Sequence, residues 1–264
     1  MRFPTFTLTA LVLAGAAGAV TASDDLTIVS KNTLNGKPGA TTTDYISSDH
    51  IRRASAEGHE TIWDLKAGMM TTLDGKKKTY FTTTKQDLEQ FRIKMEEKMK
   101  DPEMKKGMEM IASMSAGVAG TMDVKKTGTT RNVAGFRCEE WAITMTAMST
   151  MKECVTTDLQ YPVHAWEAQK EFAESMTSSM SAFAPIAKGG AEFGEKMKAI
   201  KGFPVATSMK IDVMGNKTTS ESEVIEVRKG SIPASAWEVP AGYTKIENPM
   251  LKAFEGHGRE RPRR

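Results

Sequence analysis

The chain has 264 residues, a formal charge of +3, two cysteines and nineteen methionines. Its charges are spread along the sequence apart from an Arg-rich end, which excludes the concentrated basic footprint of a nucleic-acid binder. The length suits one substantial core rather than several.

Residues 1–22 carry Arg2, an apolar run from Leu8 to Val20, and small residues before Ser23. This is the pattern of a secretory signal peptide, and its apolar part is too short to span a membrane. The expected mature chain is one domain over 23–254, followed by a disordered basic tail at 255–264 (EGHGRERPRR). No cysteine follows the apolar run for lipid attachment. The expected location is the periplasm, with release outside the cell as the alternative, and no transmembrane segment remains once the signal is removed.

Leu26–Leu34 reads as a strand that ends at the turn Asn35-Gly36-Lys37-Pro38-Gly39. From Thr41 to Tyr80 the chain is punctuated at Ser48-Asp49, Glu57-Gly58, Lys66-Ala67-Gly68 and Asp74-Gly75, intervals too short for helices and right for a meander. Thr61, Trp63 and Leu65 share one face, and Met69, Thr71 and Leu73 share another. One face of this sheet should be buried.

At Thr84-Lys85-Gln86-Asp87 a capping signature opens a helix, with Leu88, Phe91, Met95 and Met99 at helical spacing. Asp101-Pro102-Glu103 restarts it, with Met104, Met108 and Ile111 as the inner stripe, and Gly117–Gly120 stops it. Strands return at Val124–Thr130, Val133–Thr144 and Met151–Thr157. Helical spacing reappears at Phe172, Met176, Met180 and Phe183, then at Phe193, Met197 and Ile200. A hairpin alternates through Val205, Thr207, Met209, Ile211 and Val213, turns at Gly215-Asn216, and returns over Thr218–Lys229. Ser231–Glu247, with Trp237 and Tyr243, is expected to close one end. The predicted fold class is α+β, a curved antiparallel sheet in the form of an open half-barrel, with two helical insertions covering its concave apolar face.

Cys138 and Cys154 are expected to form a disulfide, as an exported pair without redox-motif spacing. A hairpin centred on Thr146 would set them directly opposite, with Glu140 facing Lys152 but Glu139 facing Glu153. The methionines on helix stripes read first as core packing; a flexible thioether lining also suits a cavity for acyl chains. Met145, Met148 and Met151, spaced by three, are a candidate Cu(I) site, opposed by four scattered histidines. No Gly-x-Ser-x-Gly elbow, His-Glu-x-x-His motif or phosphate loop is present, and the chain reads as a non-enzyme without cofactor. Asp44, Asp49, Asp64 and Asp74 read as turn and strand-end residues. Trp63, Trp141 and Trp237 read first as core anchors and second as ligand contacts.

The strand series YISSDHIRRAS, ETIWDL and MMTTLDGKKKTY resembles that of the LolA-type periplasmic lipoprotein carriers. The second half, from NVAGFRCEEWAITM to KGSIPASAWEVPAGYTKIE, resembles an uncharacterised family of exported bacterial proteins placed near that fold. The resemblance implies an unclosed, sharply curved barrel with helices as a lid over a hydrophobic cavity. It also implies an arginine on a cavity-facing strand. Arg52 or Arg53 matches that position, and strand alternation lets only one face inward.

The function expected from residues and resemblance together is a monomeric, non-enzymatic carrier of a hydrophobic ligand or lipidated protein. Its cavity would be lined by Arg52 or Arg53 with Trp63, Met69, Phe91, Met95, Met108, Trp141, Met176, Met180 and Met209. The alternatives are the methionine copper site and a purely structural role in contacts with another envelope protein.

Overall fold

Turn chemistry dictates most of the architecture. The structure, a computed structural model, describes residues 25–98, 100–103, 106, 123–146, 149–162, 165, 167, 196–213 and 215–252. In them thirteen strands form one sheet. The N-terminal meander comprises β1 (Leu26–Leu34), β2 (Lys37–Pro38), β3 (Thr42–Ile46), β4 (His50–Ser55), β5 (His59–Asp64), β6 (Met69–Asp74) and β7 (Thr79–Thr84). A second meander follows with β8 (Asp123–Val133), β9 (Phe136–Thr146), β10 (Ser149–Thr156), β11 (Phe203–Val213) and β12 (Asn216–Lys229), and β13 (Thr244–Lys245) lies at the edge. The spatial order is β13-β7-β6-β5-β4-β3-β1-β12-β11-β10-β9-β8, with β2 paired to β1 alone. The two meanders meet where β1 pairs antiparallel with β12. Two-residue turns at Asn35-Gly36 (φ 52° and 74°) and Ala134-Gly135 (φ 49° and 85°) hold both central residues left-handed, which matches the right-handed twist of the strands they join.

The expected half-barrel with two helical insertions over its concave face is corrected by the structure, which is mostly one large open sheet. Among the described residues one helix has substantial length, α1 (Lys85–Lys98). Its start is as the sequence implies: the Thr84 hydroxyl accepts from Asp87 N (3.1 Å), and the Asp87 carboxylate accepts from Thr84 N (2.8 Å). Its apolar stripe, however, is too narrow to roof a sheet. Leu88 is buried, Phe91 and Met95 are half-buried, and Ile93 is 51% exposed. Arg92 pairs with both Glu89 and Glu96 on the outer surface, and the helix rests against β7. Asp101 caps the restart by accepting from Glu103 N (2.8 Å), but Met99, Met104, Met108 and Ile111 lie outside the described residues, as do Phe172, Met176, Met180, Phe183 and Phe193. Among the described residues no helix is long and apolar enough to cross a membrane.

Both faces of the first meander are covered, rather than one. On the face that carries Trp63, the core runs through Leu26, Ile28, Ile46, Ile51, Val205 and Val224, joined by Leu159 and Ala165 from the segment after β10. On the opposite face Ile62, Thr71 and Leu73 are buried. The C-terminal segment crosses that side: Trp237 stacks on His50 with ring centroids 5.3 Å apart, and the Ala236 carbonyl accepts from Arg52 Nη1 (2.7 Å). It then runs beside β7, where Ile246 N donates to Tyr80 O (2.8 Å) and the Asn248 amide donates to Thr82 O (3.2 Å). Ser231–Glu247 therefore backs the sheet and adds an edge strand.

At the other edge β8 bends back across β9, β10 and β11 until Arg131 reaches Glu223 on β12 (3.2 Å). Lys31 holds the same carboxylate at 2.8 Å. Between β10 and β11 the chain makes a long excursion, 157–202, whose ends meet where Thr156 pairs with Phe203. Gly202 occupies φ 121° there, and a Cβ on it would lie 2.3 Å from the Thr156 carbonyl oxygen, so only glycine fits.

The Cys138–Cys154 disulfide is present, with its Cα atoms 5.2 Å apart, but the hairpin register is shifted by two residues from the one expected. Cys154 faces Glu140 and Lys152 faces Ala142, so both the disulfide and the Lys152–Glu140 ion pair (2.9 Å) are diagonal contacts on one face. The shift dissolves the expected clash of Glu139 with Glu153, because Glu153 faces Trp141 instead. The bridge closes a short loop, and replacing both cysteines by serine is expected to lower stability by about 3 kcal/mol through the freer unfolded chain. Urea unfolding of the oxidised protein against the double variant measures this; coincident midpoints would contradict it.

Candidate functional site

The pairing register brings side chains from six strands around one hollow of about 580 Å³. On β3, Asp44 and Ile46 alternate inward; on β4, Ile51 and Arg53 do so, and on β5 Trp63 follows. Across the β1–β12 seam lie Ser30 and Asn32, Ser222 and Val224, and Val205 and Thr207 on β11. Phe203 and Tyr161 complete the wall, their rings stacked at 5.5 Å and 17°. The volume falls within the range of small-molecule cavities.

One charged pair stands in this lining. Asp44 and Arg53 are direct cross-strand partners, and the carboxylate accepts two parallel bonds, from Nε (2.7 Å) and Nη2 (3.0 Å). Asp44 lies deep and Arg53 reaches the opening, with side-chain exposures of 12% and 61%. The hydrogen bond to Asp44 raises the Arg53 guanidinium above its ordinary range. Burial, then the Asp44 charge, pushes the Tyr161 phenol well above its ordinary range, so it stays protonated at any physiological pH.

Of the two arginines left open by sequence, Arg53 faces the hollow. Arg52 points to the opposite face, where Nε donates to Glu60 (2.8 Å). Trp63 joins Arg53 in the lining. Met69 sits on β6 opposite Asp64 and Thr84, one residue out of phase with Trp63, and so belongs to the other face. Phe91 and Met95 lie on α1, outside the hollow, and Trp141 is buried on β9 under the Lys126 ammonium, 5.2 Å from its ring centre. Met209 is half-buried between Met151 and Ser220, beyond the hollow's edge. Met108, Met176 and Met180 fall outside the described residues, and among the described residues no methionine lines the hollow. Met151 is half-buried, while the side chains of Met145 and Met148 lie outside the description.

Asp44 and Tyr161 were not legible as site residues. Asp44 reads as a strand-end aspartate until its register opposite Arg53 is known, although a carboxylate two residues before buried Ile46 marks it as inward-facing. Tyr161 comes from a segment without periodicity and gives no such signal.

Residues 112–243 match the model of a family described as a domain of unknown function (DUF4412). The hollow straddles the start of that match, because its β1, β3, β4 and β5 residues precede it and the rest fall within it. No curated protein matches the chain. Among solved structures it is similar to PNGF-II, with 11% identity, a TM-score of 0.40, and coverage of 87% of this chain and 32% of that one. It is also similar to the MucA/MucB complex of Pseudomonas aeruginosa (14% identity, TM-score 0.39, 83% and 56% covered) and to MucB alone (13%, 0.36, 83% and 57%). The chain thus spans from about a third to just over half the length of the structures it matches.

Two outcomes test this geometry. Asp44→Asn, which removes the anion of a partly buried bidentate pair and leaves the guanidinium uncompensated, is expected to cost about 1–2 kcal/mol in urea unfolding; a loss within error of zero would show the pair to be idle. Glu153, opposite cavity-lining Thr207, is held above its ordinary value of 4.5 by burial. A carboxyl raised in the folded state contributes fully below the unfolded value, and that contribution is lost as pH rises through the folded one. Glu153→Gln should therefore melt above the unsubstituted protein at pH 7 and level with it at pH 3, by differential scanning calorimetry.

Proposed function

The chain belongs to the DUF4412 family, and on that premise we propose that it is a non-enzymatic exported protein that binds an apolar or amphipathic ligand in the hollow on its sheet. One observation carries the reading: Ile46, Ile51 and Trp63 lie along one side of a hollow of about 580 Å³ that the described residues leave unfilled. A sheet face with no binding role is ordinarily filled, because an unfilled apolar cavity forfeits packing energy. The disulfide supports placement in an oxidising compartment.

Binding here needs no catalytic group. Burial of a chain against Trp63 and the two isoleucines supplies affinity through the area removed from water. Carriage of a lipidated protein is a narrower form of the same reading, in which the anchor would enter the hollow.

N-phenyl-1-naphthylamine, an uncharged dye that brightens in apolar surroundings, serves as the probe. The mature protein is expected to enhance its emission saturably, and Trp63→Ala to weaken the affinity about tenfold, the loss of one aromatic anchor. Absence of saturable enhancement would overturn the proposal.

A further inference from the structure

The hollow is graded along its strands, and the grading identifies the head that a ligand would carry. Strand pairing sets Leu26 beside Ile46 at one end and Asn32 beside Ser222, which in turn faces Thr207, at the other. At about 3.3 Å per residue, the six steps from Leu26 to Asn32 cover roughly 20 Å. Toward the first end the lining is Ile46, Ile51 and Trp63; toward the second it is amide and hydroxyl.

At the polar end the lining residues Asn32, Ser222 and Thr207 offer hydrogen bonding and are themselves uncharged. Thr207 and Ser222 are half-buried, and their hydroxyls make no hydrogen bond among the described residues. The Asn32 amide nitrogen donates to Ala40 O (2.6 Å) and Thr42 Oγ1 (3.4 Å), which leaves its oxygen as an acceptor. Asp44 and Arg53, the charged lining residues, are paired through two bonds and their charges sum to zero. A carboxylate head approaching Arg53 would meet Asp44 held against it, and an ammonium head approaching Asp44 would meet the guanidinium. Either would lose hydration without gaining an unpaired counter-charge. A head of hydroxyls and ester oxygens meets donors and acceptors and pays no such cost.

We propose that the hollow selects an uncharged amphiphile, an acyl chain joined to a hydroxyl-bearing head as in a monoacylglycerol, over a free fatty acid or an acyl amine. This rests on the binding role assigned to the hollow above. The chain lies over Ile46, Ile51 and Trp63, and the head lies over Asn32, Ser222 and Thr207.

The test displaces N-phenyl-1-naphthylamine from the mature protein at pH 7.5 with monolauroylglycerol, laurate or dodecylammonium, three ligands with the same twelve-carbon chain. Monolauroylglycerol is expected to bind at least tenfold tighter than either ion. Asp44→Asn, which leaves Arg53 uncompensated, should raise laurate affinity about tenfold and not that of dodecylammonium; Arg53→Gln should do the reverse. Laurate or dodecylammonium binding the unsubstituted protein as tightly as the glyceride would overturn the selectivity and leave the binding role standing. That comparison decides even where a variant fails to fold. If none of the three displaces the dye, or the dye does not bind, the binding role itself falls and this inference with it.

Discussion

The antiparallel pairing of β1 with β12 is the constraint on which everything else depends. Residues 26–34 pair with residues 220–229, so the first described strand is joined to the last long one. Closing so long a loop is not prohibitively costly, since each doubling of length adds only about 0.6 kcal/mol. The seam is nonetheless distant in sequence, and it is held by Leu26 and Ile28, each 1% exposed. Without it there would be two meanders and no shared hollow, because Asp44, Arg53 and Trp63 come from one side of the seam and Val205, Thr207 and Val224 from the other.

Local structure was readable where a residue's own chemistry decides it. Asn35–Gly39 announced a turn, which the structure tightens to Asn35-Gly36 with Lys37–Pro38 paired as a strand, while Thr84 and Asp87 announced a cap and the two cysteines a bridge, and both are found. Register was not readable to the residue, because a shift by two keeps every side chain on its face and exchanges one acceptable set of neighbours for another. The β9–β10 hairpin took the register that sets Glu153 against Trp141 rather than against Glu139. The helical roof failed for a different reason. Spacing of Leu88, Phe91 and Met95 reveals a periodic stripe but not its width, and the charges around it leave the helix at the margin of the sheet.

The site was half legible by the same logic. Trp63 and one of two adjacent arginines could be placed on a face by alternation, but choosing between Arg52 and Arg53 required knowing which partner waits across the strand. Arg52 finds Glu60 and the Ala236 carbonyl on the back; Arg53 finds Asp44 in the hollow. The back-side partner depends on the C-terminal segment folding across β4, a contact 184 residues away in sequence that no local pattern encodes. Compensation of Arg53 by Asp44 also changes what a cavity arginine means. It ceases to be a free cation and becomes half of a neutral polar element.

The close approach of Gly202 to Thr156 makes the start and finish of the 157–202 excursion neighbours in space. The strands on either side meet at that pinch, and Leu159, Tyr161 and Ala165 from the start of the stretch pack against the sheet and its hollow. A lineage that changed the length of the stretch would keep the strands aligned as long as the pinch stayed free of a side chain and those three residues kept their places.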